Sequence, residues 1–272
     1  MIQTMLHTNR LAETFAQHTR SILSIYFTAG YPSLHDTVSI IRILQAQGVD
    51  MIEIGIPFSD PVADGPVIQQ SSECALRNGM TLSLLFEQLQ DIRTTVDIPL
   101  ILMGYCNTML QCGVEAFLQK CVAIGIDGVI LPDLPLEVFQ DEYAELFTRY
   151  GIAMIFLIAP QTSPERIRSI DAVSTGFLYA VSSSAITGSA LSANAERTAY
   201  LQRLKDMQLR NPLMVGFGIH DKESFDDVCQ YAHGGIIGTA FINALQSSDT
   251  IEQDVTEFVH TIRGSVASTS NI

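Results

Sequence analysis

The run IEIGIPFSDPVADGP, residues 52–66, places three carboxylates where chemistry could be done. Glu53 stands inside an otherwise apolar, strand-like stretch, and Asp60 and Asp64 follow in a segment rich in proline. A buried strand carboxyl calls for a cation or a role. The three lysines, Lys120, Lys205 and Lys222, fall in helical or loop segments, so no cation for Glu53 is obvious. Desolvation then raises its pKa toward neutrality, which suits proton transfer. Asp beside Pro and Gly is also what ordinary turns use. Asp60 and Asp64 therefore gain a chemical reading only by sharing a face with Glu53, where two carboxylates in unlike surroundings can divide acid and base work.

A second group of residues suits a phosphate. GFGI (216–219) closes one short apolar run, and GIIGTAF (235–241) leads from another into a helix. Glycines let the backbone approach a ligand, and the start of a helix offers unpaired N–H groups. Gly218, Gly238 and Thr239 form the candidate cradle. Gly188, in the small, polar stretch SSAITGSALSAN (183–194), could close over the same group.

These residues need elements to position them. Eight short apolar runs read as strands: 21–28, 50–56, 99–104, 127–132, 153–159, 176–182, 213–217 and 234–239. Most are continuously hydrophobic rather than alternating, as parallel strands covered on both faces are. Helical patterns lie between them at 36–48, 83–96, 113–125 and 163–173, the last opening on Ser-Pro, a cap followed by the proline preferred at the first helical position. Eight strand–helix units in 272 residues predict a single (β/α)8 TIM barrel spanning 1–272. A short helix is expected before the first strand and a disordered tail from about 265. An open doubly wound sheet is the competitor, but no G-x-G-x-x-G follows the first strand. The long loops after strands 2 and 6 would lie at the C-terminal face, where such barrels build their sites.

A net charge of -14 argues against nucleic acid and against long-range steering of an anionic substrate. Any phosphate must be held locally. No apolar run approaches membrane-spanning length and no signal peptide opens the chain, so a cytoplasmic protein is expected. Five cysteines without C-x-x-C spacing read as reduced packing residues. The six histidines show no helical metal-site spacing, and His220 reads as a solvated loop residue. No lysine is placed for Schiff-base chemistry and no metal cluster is apparent. What remains is acid–base chemistry on a small phosphorylated substrate, without metal or cofactor.

The segment 52–66 closely resembles the signature of the tryptophan synthase α-subunit family. YFTAGYP (26–32), MGYCN (103–107), LPDLPLE (131–137), YAVSSSAITG (179–188) and GFGI fall in that family's order and spacing. The resemblance implies a barrel that cleaves indole-3-glycerol phosphate to indole and glyceraldehyde 3-phosphate. Glu53 matches the essential acid–base and Asp64 the carboxylate that hydrogen-bonds the indole N–H. Tyr179 would line the site, and Thr187 would contact the second loop when the sixth closes. Tyr26 stands where the family usually has Phe, and Ile130 matches a wall of the indole pocket. Asp60, Asp133 and Pro135 match regions that face the partner, a β subunit that carries pyridoxal phosphate and receives indole within an α2β2 assembly. Two departures stand out: Ala185 replaces a glycine of the sixth loop, and Thr239 stands where serine is common. Alanine at a position requiring positive φ would strain that loop by about 1 kcal/mol. A catalytically weak or silent chain, with its altered loop 182–188, acting mainly as an allosteric activator of the β subunit is therefore the alternative. A phosphate-binding sugar isomerase would explain the glycines but not the acidic loop.

Overall fold

The computed structural model describes residues 10–181, 190–245, 248 and 250–264, with 190–194 described as backbone only. The expected tail from about 265 lies outside the described residues. Eight parallel strands close into a barrel in sequence order: β1 (Ile22–Thr28), β2 (Met51–Gly55), β3 (Leu100–Met103), β4 (Gly128–Ile130), β5 (Ala153–Ile158), β6 (Leu178–Ala180), β7 (Leu213–Val215) and β8 (Gly234–Ile237). The closing pair is β1 with β8. Around them run α1 (Arg10–Gln17), α2 (Asp36–Ala46), α3 (Pro66–Arg77), α4 (Leu82–Gln88), α5 (Cys106–Cys112), α6 (Val114–Ile124) and α7 (Leu136–Val138). The ring continues with α8 (Ala144–Tyr150), α9 (Pro164–Val173), α10 (Ala190–Asp206), α11 (Lys222–Cys229), α12 (Thr239–Ala244) and α13 (Ile251–Arg263).

Every residue of β1 and β2 is buried, which is why these strands read as unbroken apolar runs. Alternation still sorts them. Leu23, Ile25, Phe27, Ile52 and Ile54 join the core between barrel and helices. Ile22, Tyr26 and Met51 join the barrel's interior with Ile101, Ile130 and Tyr179. Glu53, two residues after Met51, therefore faces inward.

The N-terminal end of the barrel is plugged. Leu11 of α1 enters the interior core, and Phe15 packs on Phe177 at 6.0 Å between ring centroids. Arg10 donates to one oxygen of the buried Asp127 at 2.8 Å and Arg93 to the other at 2.6 Å. The Leu100 N–H, at the start of β3, donates to that second oxygen at 2.9 Å.

The expected helix over 83–96 divides into α4 and a single 3-10 turn, Ile92–Thr94. The β-branched run Thr94–Thr95–Val96 disfavours continuation, and Arg93 binds the Val96 and Ile98 carbonyls, turning the chain into β3. Strands end one to two residues inside several expected bounds, because their last residues leave the ladder to form the loops. All five cysteines are free, but only Cys121 and Cys229 are buried; Cys74, Cys106 and Cys112 are half-buried. Among the described residues, no helix is long and apolar enough to cross a membrane.

Candidate active site

Glu53 lies one inward layer nearer the mouth than Met51, paired in register with Tyr26 on β1 and Ile101 on β3. It is 0 % exposed. Its Oε1 accepts a hydrogen bond from Ser24 Oγ at 3.2 Å, and its Oε2 has no hydrogen-bond partner among the described residues. No arginine or lysine pairs with it there. Burial pushes its carboxyl pKa up to about 8, and the Ser24 bond opposes that rise only in part. At neutral pH Glu53 is therefore mostly a neutral acid, poised to give a proton and take it back.

The second carboxylate is held by the loop after β2. Asp64 is half-buried, and its Oδ2 accepts from the Tyr105 hydroxyl at 2.9 Å. That hydroxyl also receives the Ala63 N–H at 3.0 Å, and the Tyr105 ring stacks on Phe58 at 5.0 Å. Further bonds stiffen the loop: the Asp64 N–H donates to Pro61 O at 3.0 Å, and Gln69 Nε2 donates to Asp64 O at 2.9 Å. Burial raises the Asp64 pKa, and the Tyr105 hydrogen bond counters it.

Tyr26 and Tyr179 complete the mouth. Burial raises both phenol pKa values, and the nearby charges of Asp64 and Glu53 raise them further. Each tyrosine lies over a glycine at the end of a neighbouring strand. A Cβ on Gly55 would come 2.3 Å from the Tyr26 hydroxyl, and one on Gly216 would come 2.0 Å from the Tyr179 ring. Any larger residue at either position would drive the ring out of the mouth. Ile130 is fully buried in the same interior.

The other sequence-read residues are more dispersed. Asp60 is exposed and accepts a hydrogen bond from its neighbour Ser59 at 2.6 Å, so it does not join Glu53. Gly218 turns with φ +65° on the exposed loop after β7. Gly238 lies beside the Tyr26 ring, and exposed Thr239 begins α12. Asp133 is exposed and accepts the Cys106 N–H, at 2.9 Å and 3.1 Å, at the start of α5; Pro135 precedes α7. His220 is exposed and lies 3.4 Å from Asp221. Thr187, Gly188 and the Ala185 departure lie outside the described residues. No group of three or more His, Cys, Asp or Glu among the described residues could hold a metal ion.

Sequence reasoning passed over Ser24 and Tyr105. Each had a visible signal: a small hydroxyl residue on the inward register of β1, and an aromatic in the MGYCN motif. Neither signal names its partner, which lies 29 residues away for Ser24 and 41 for Tyr105.

A family model described as tryptophan synthase alpha chain matches residues 12–270. The tryptophan synthase alpha chain of Flavobacterium johnsoniae is 56% identical over 255 residues, covering 94% of this chain and all of the relative. That of Bacteroides thetaiotaomicron is 53% identical over 247 residues, covering 91% of this chain and 96% of the relative. The crystal structure of the alpha chain from Legionella pneumophila superposes with a TM-score of 0.84 at 34% identity, covering 97% of this chain and 100% of that one. A chain of the tryptophan synthase complex from Pyrococcus furiosus gives 0.81 at 32% identity, covering 90% and 99%.

Proposed function

The chain belongs to the tryptophan synthase alpha chain family, and from that premise we propose how its own residues carry out the cleavage of indole-3-glycerol phosphate to indole and glyceraldehyde 3-phosphate. Glu53, neutral in its buried position, protonates C3 of the indole ring. Asp64, steadied by Tyr105, accepts a hydrogen bond from the indole N–H and offsets the positive charge that develops on the ring. The Glu53 carboxylate then removes the proton of the side-chain hydroxyl next to the bond to be broken. The electron pair of that carbon–carbon bond returns to the ring. Indole and an aldehyde result, and Glu53 is neutral again. The two carboxylates occupy unlike surroundings, one wholly buried and one braced in a loop, which lets them divide the work.

Tyr26, Tyr179 and Ile130 wall the indole. Gly218, Gly238 and Thr239 approach the phosphate, with Gly188 and Thr187 acting from the sixth loop. The chain works with a β subunit, which carries the pyridoxal phosphate and receives the indole; this chain's own step uses no cofactor. We assign the assembly as α2β2, with Asp60, Asp133 and Pro135 on the partner side. The turnover is that of a working lyase despite Ala185, since both carboxylates of the mechanism are kept.

The observation that carries this reading is Glu53: a fully buried carboxyl, facing the barrel interior, that no arginine or lysine pairs with among the described residues. Its test is indole release from indole-3-glycerol phosphate, with and without the β subunit. Glu53→Gln is expected to lower turnover by about 1,000-fold or more while the variant still binds the β subunit. Turnover retained in Glu53→Gln would overturn the assignment.

A further inference from the structure

We propose that Ser24 is a positioning residue for the lyase reaction: its hydroxyl, donated to Oε1, fixes the Glu53 side chain and leaves Oε2 as the oxygen that exchanges the proton with the substrate. The inference rests on the acid–base reading of Glu53.

Three observations support it. First, both side chains are 0 % exposed, and the Ser24 hydroxyl is the hydrogen-bond donor that reaches Glu53, at 3.2 Å. Second, the bond comes from below. Ser24 is paired in register with Met51, one inward layer nearer the plugged end than Tyr26, which is paired with Glu53. A tether from that side holds the carboxyl without obstructing the mouth. Third, the two carboxyl oxygens are unlike, since Oε2 is buried and lacks a partner among the described residues. An oxygen that accepts a hydroxyl donor serves as the carbonyl oxygen of the neutral acid, so the acidic proton resides on the other. Ser24 therefore selects which oxygen carries the proton. It also stabilises the ionised form, keeping the buried acid from becoming too weak to release its proton.

Among the described residues, the surroundings offer no substitute for this role. The titratable groups facing Glu53 are Tyr26 on β1 and Tyr179 on β6, with Asp64 acting on the same two phenols from the loop after β2. On β3, the register neighbour Ile101 is apolar. None of these places a positive charge beside the carboxyl.

The experiment is steady-state indole release by the αβ complex across pH 6–10, comparing wild type with Ser24→Ala, Ser24→Cys and Ser24→Thr. In Ser24→Ala, kcat is expected to fall about ten-fold with KM changed less than about two-fold, as for a lost hydrogen bond to a charged partner. The alkaline limb of the profile should move to higher pH. Ser24→Cys, similar in volume but a weaker donor, should show the same changes in smaller measure, and it stands in should the alanine variant not fold. Ser24→Thr, which keeps the hydroxyl, should retain the wild-type limb. An unmoved limb in folded Ser24→Ala or Ser24→Cys would overturn the inference, as would a loss in kcat accompanied by an equal loss in substrate binding. Wild type and Glu53→Gln run alongside: if wild type is active and Glu53→Gln inactive while the serine variants match wild type, only the role of Ser24 fails. If Glu53→Gln stays active, the reading beneath it fails.

Discussion

The two ends of the barrel treat a buried carboxylate in opposite ways. At the plugged end, Asp127 is shared between Arg10 and Arg93 and receives the Leu100 N–H, so both oxygens are satisfied. Asp50 follows the same pattern there, pairing with Arg263 and accepting the Leu23 N–H at 2.7 Å. At the mouth, Glu53 is equally dry and, among the described residues, is met by one serine hydroxyl. An ion is taken out of water at several kcal/mol unless charge and hydrogen bonds offset it. The plugged end offsets it with guanidinium groups and backbone N–H donors; the mouth does not, and its carboxyl keeps a proton instead. The first arrangement ties strand starts and α1 together. The second leaves a group ready to react.

Breaking the compensated site should show the larger effect on folding. Asp127→Ala takes the carboxylate away from the Arg10 and Arg93 guanidiniums and the acceptor from the Leu100 N–H, and is expected to destabilise the protein by about 3 kcal/mol in urea unfolding. Activity per folded molecule should be unchanged, and a loss below about 1 kcal/mol would mean that solvent already satisfies those arginines. At the mouth the sign reverses. Glu53 holds its proton in the folded state up to about pH 8, whereas its ordinary value is 4.5. Its effect is thus harmless below pH 4.5 and increasingly destabilising as pH rises through that window. Glu53→Gln should accordingly be no less stable than wild type at pH 5 and more stable at pH 8. A smaller effect is expected at the loop carboxylate. Tyr105→Phe removes the donor to Asp64 and should lower kcat about ten-fold with the fold intact. Unchanged kcat would show that the prolines alone hold the loop.

The barrel was legible in the sequence because a parallel strand buried on both faces leaves an unbroken apolar run, and eight of them with intervening helices leave few other architectures. The helix bounds were less so. The turn into β3 after Thr94 is held by Arg93 reaching the Val96 and Ile98 carbonyls, contacts that no hydrophobic pattern displays. Glu53 could be found because an acid in an apolar strand violates the burial rule in plain view. Ser24 and Tyr105 could not, since a serine in a strand and a tyrosine in a loop are unremarkable until the fold supplies the carboxylates they hold. Gly55 and Gly216 were legible only as flexible residues; that each makes room for a tyrosine ring is a fact of register between strands.

The central claim is that an uncompensated, buried Glu53 supplies and recovers the proton of the cleavage. The most direct measurement is the pH dependence of indole release by the wild-type complex. Turnover is expected to hold across neutral pH and fall above about pH 8, as Glu53 loses the proton it must donate. A rate that stays level to pH 9.5 and beyond would contradict the claim.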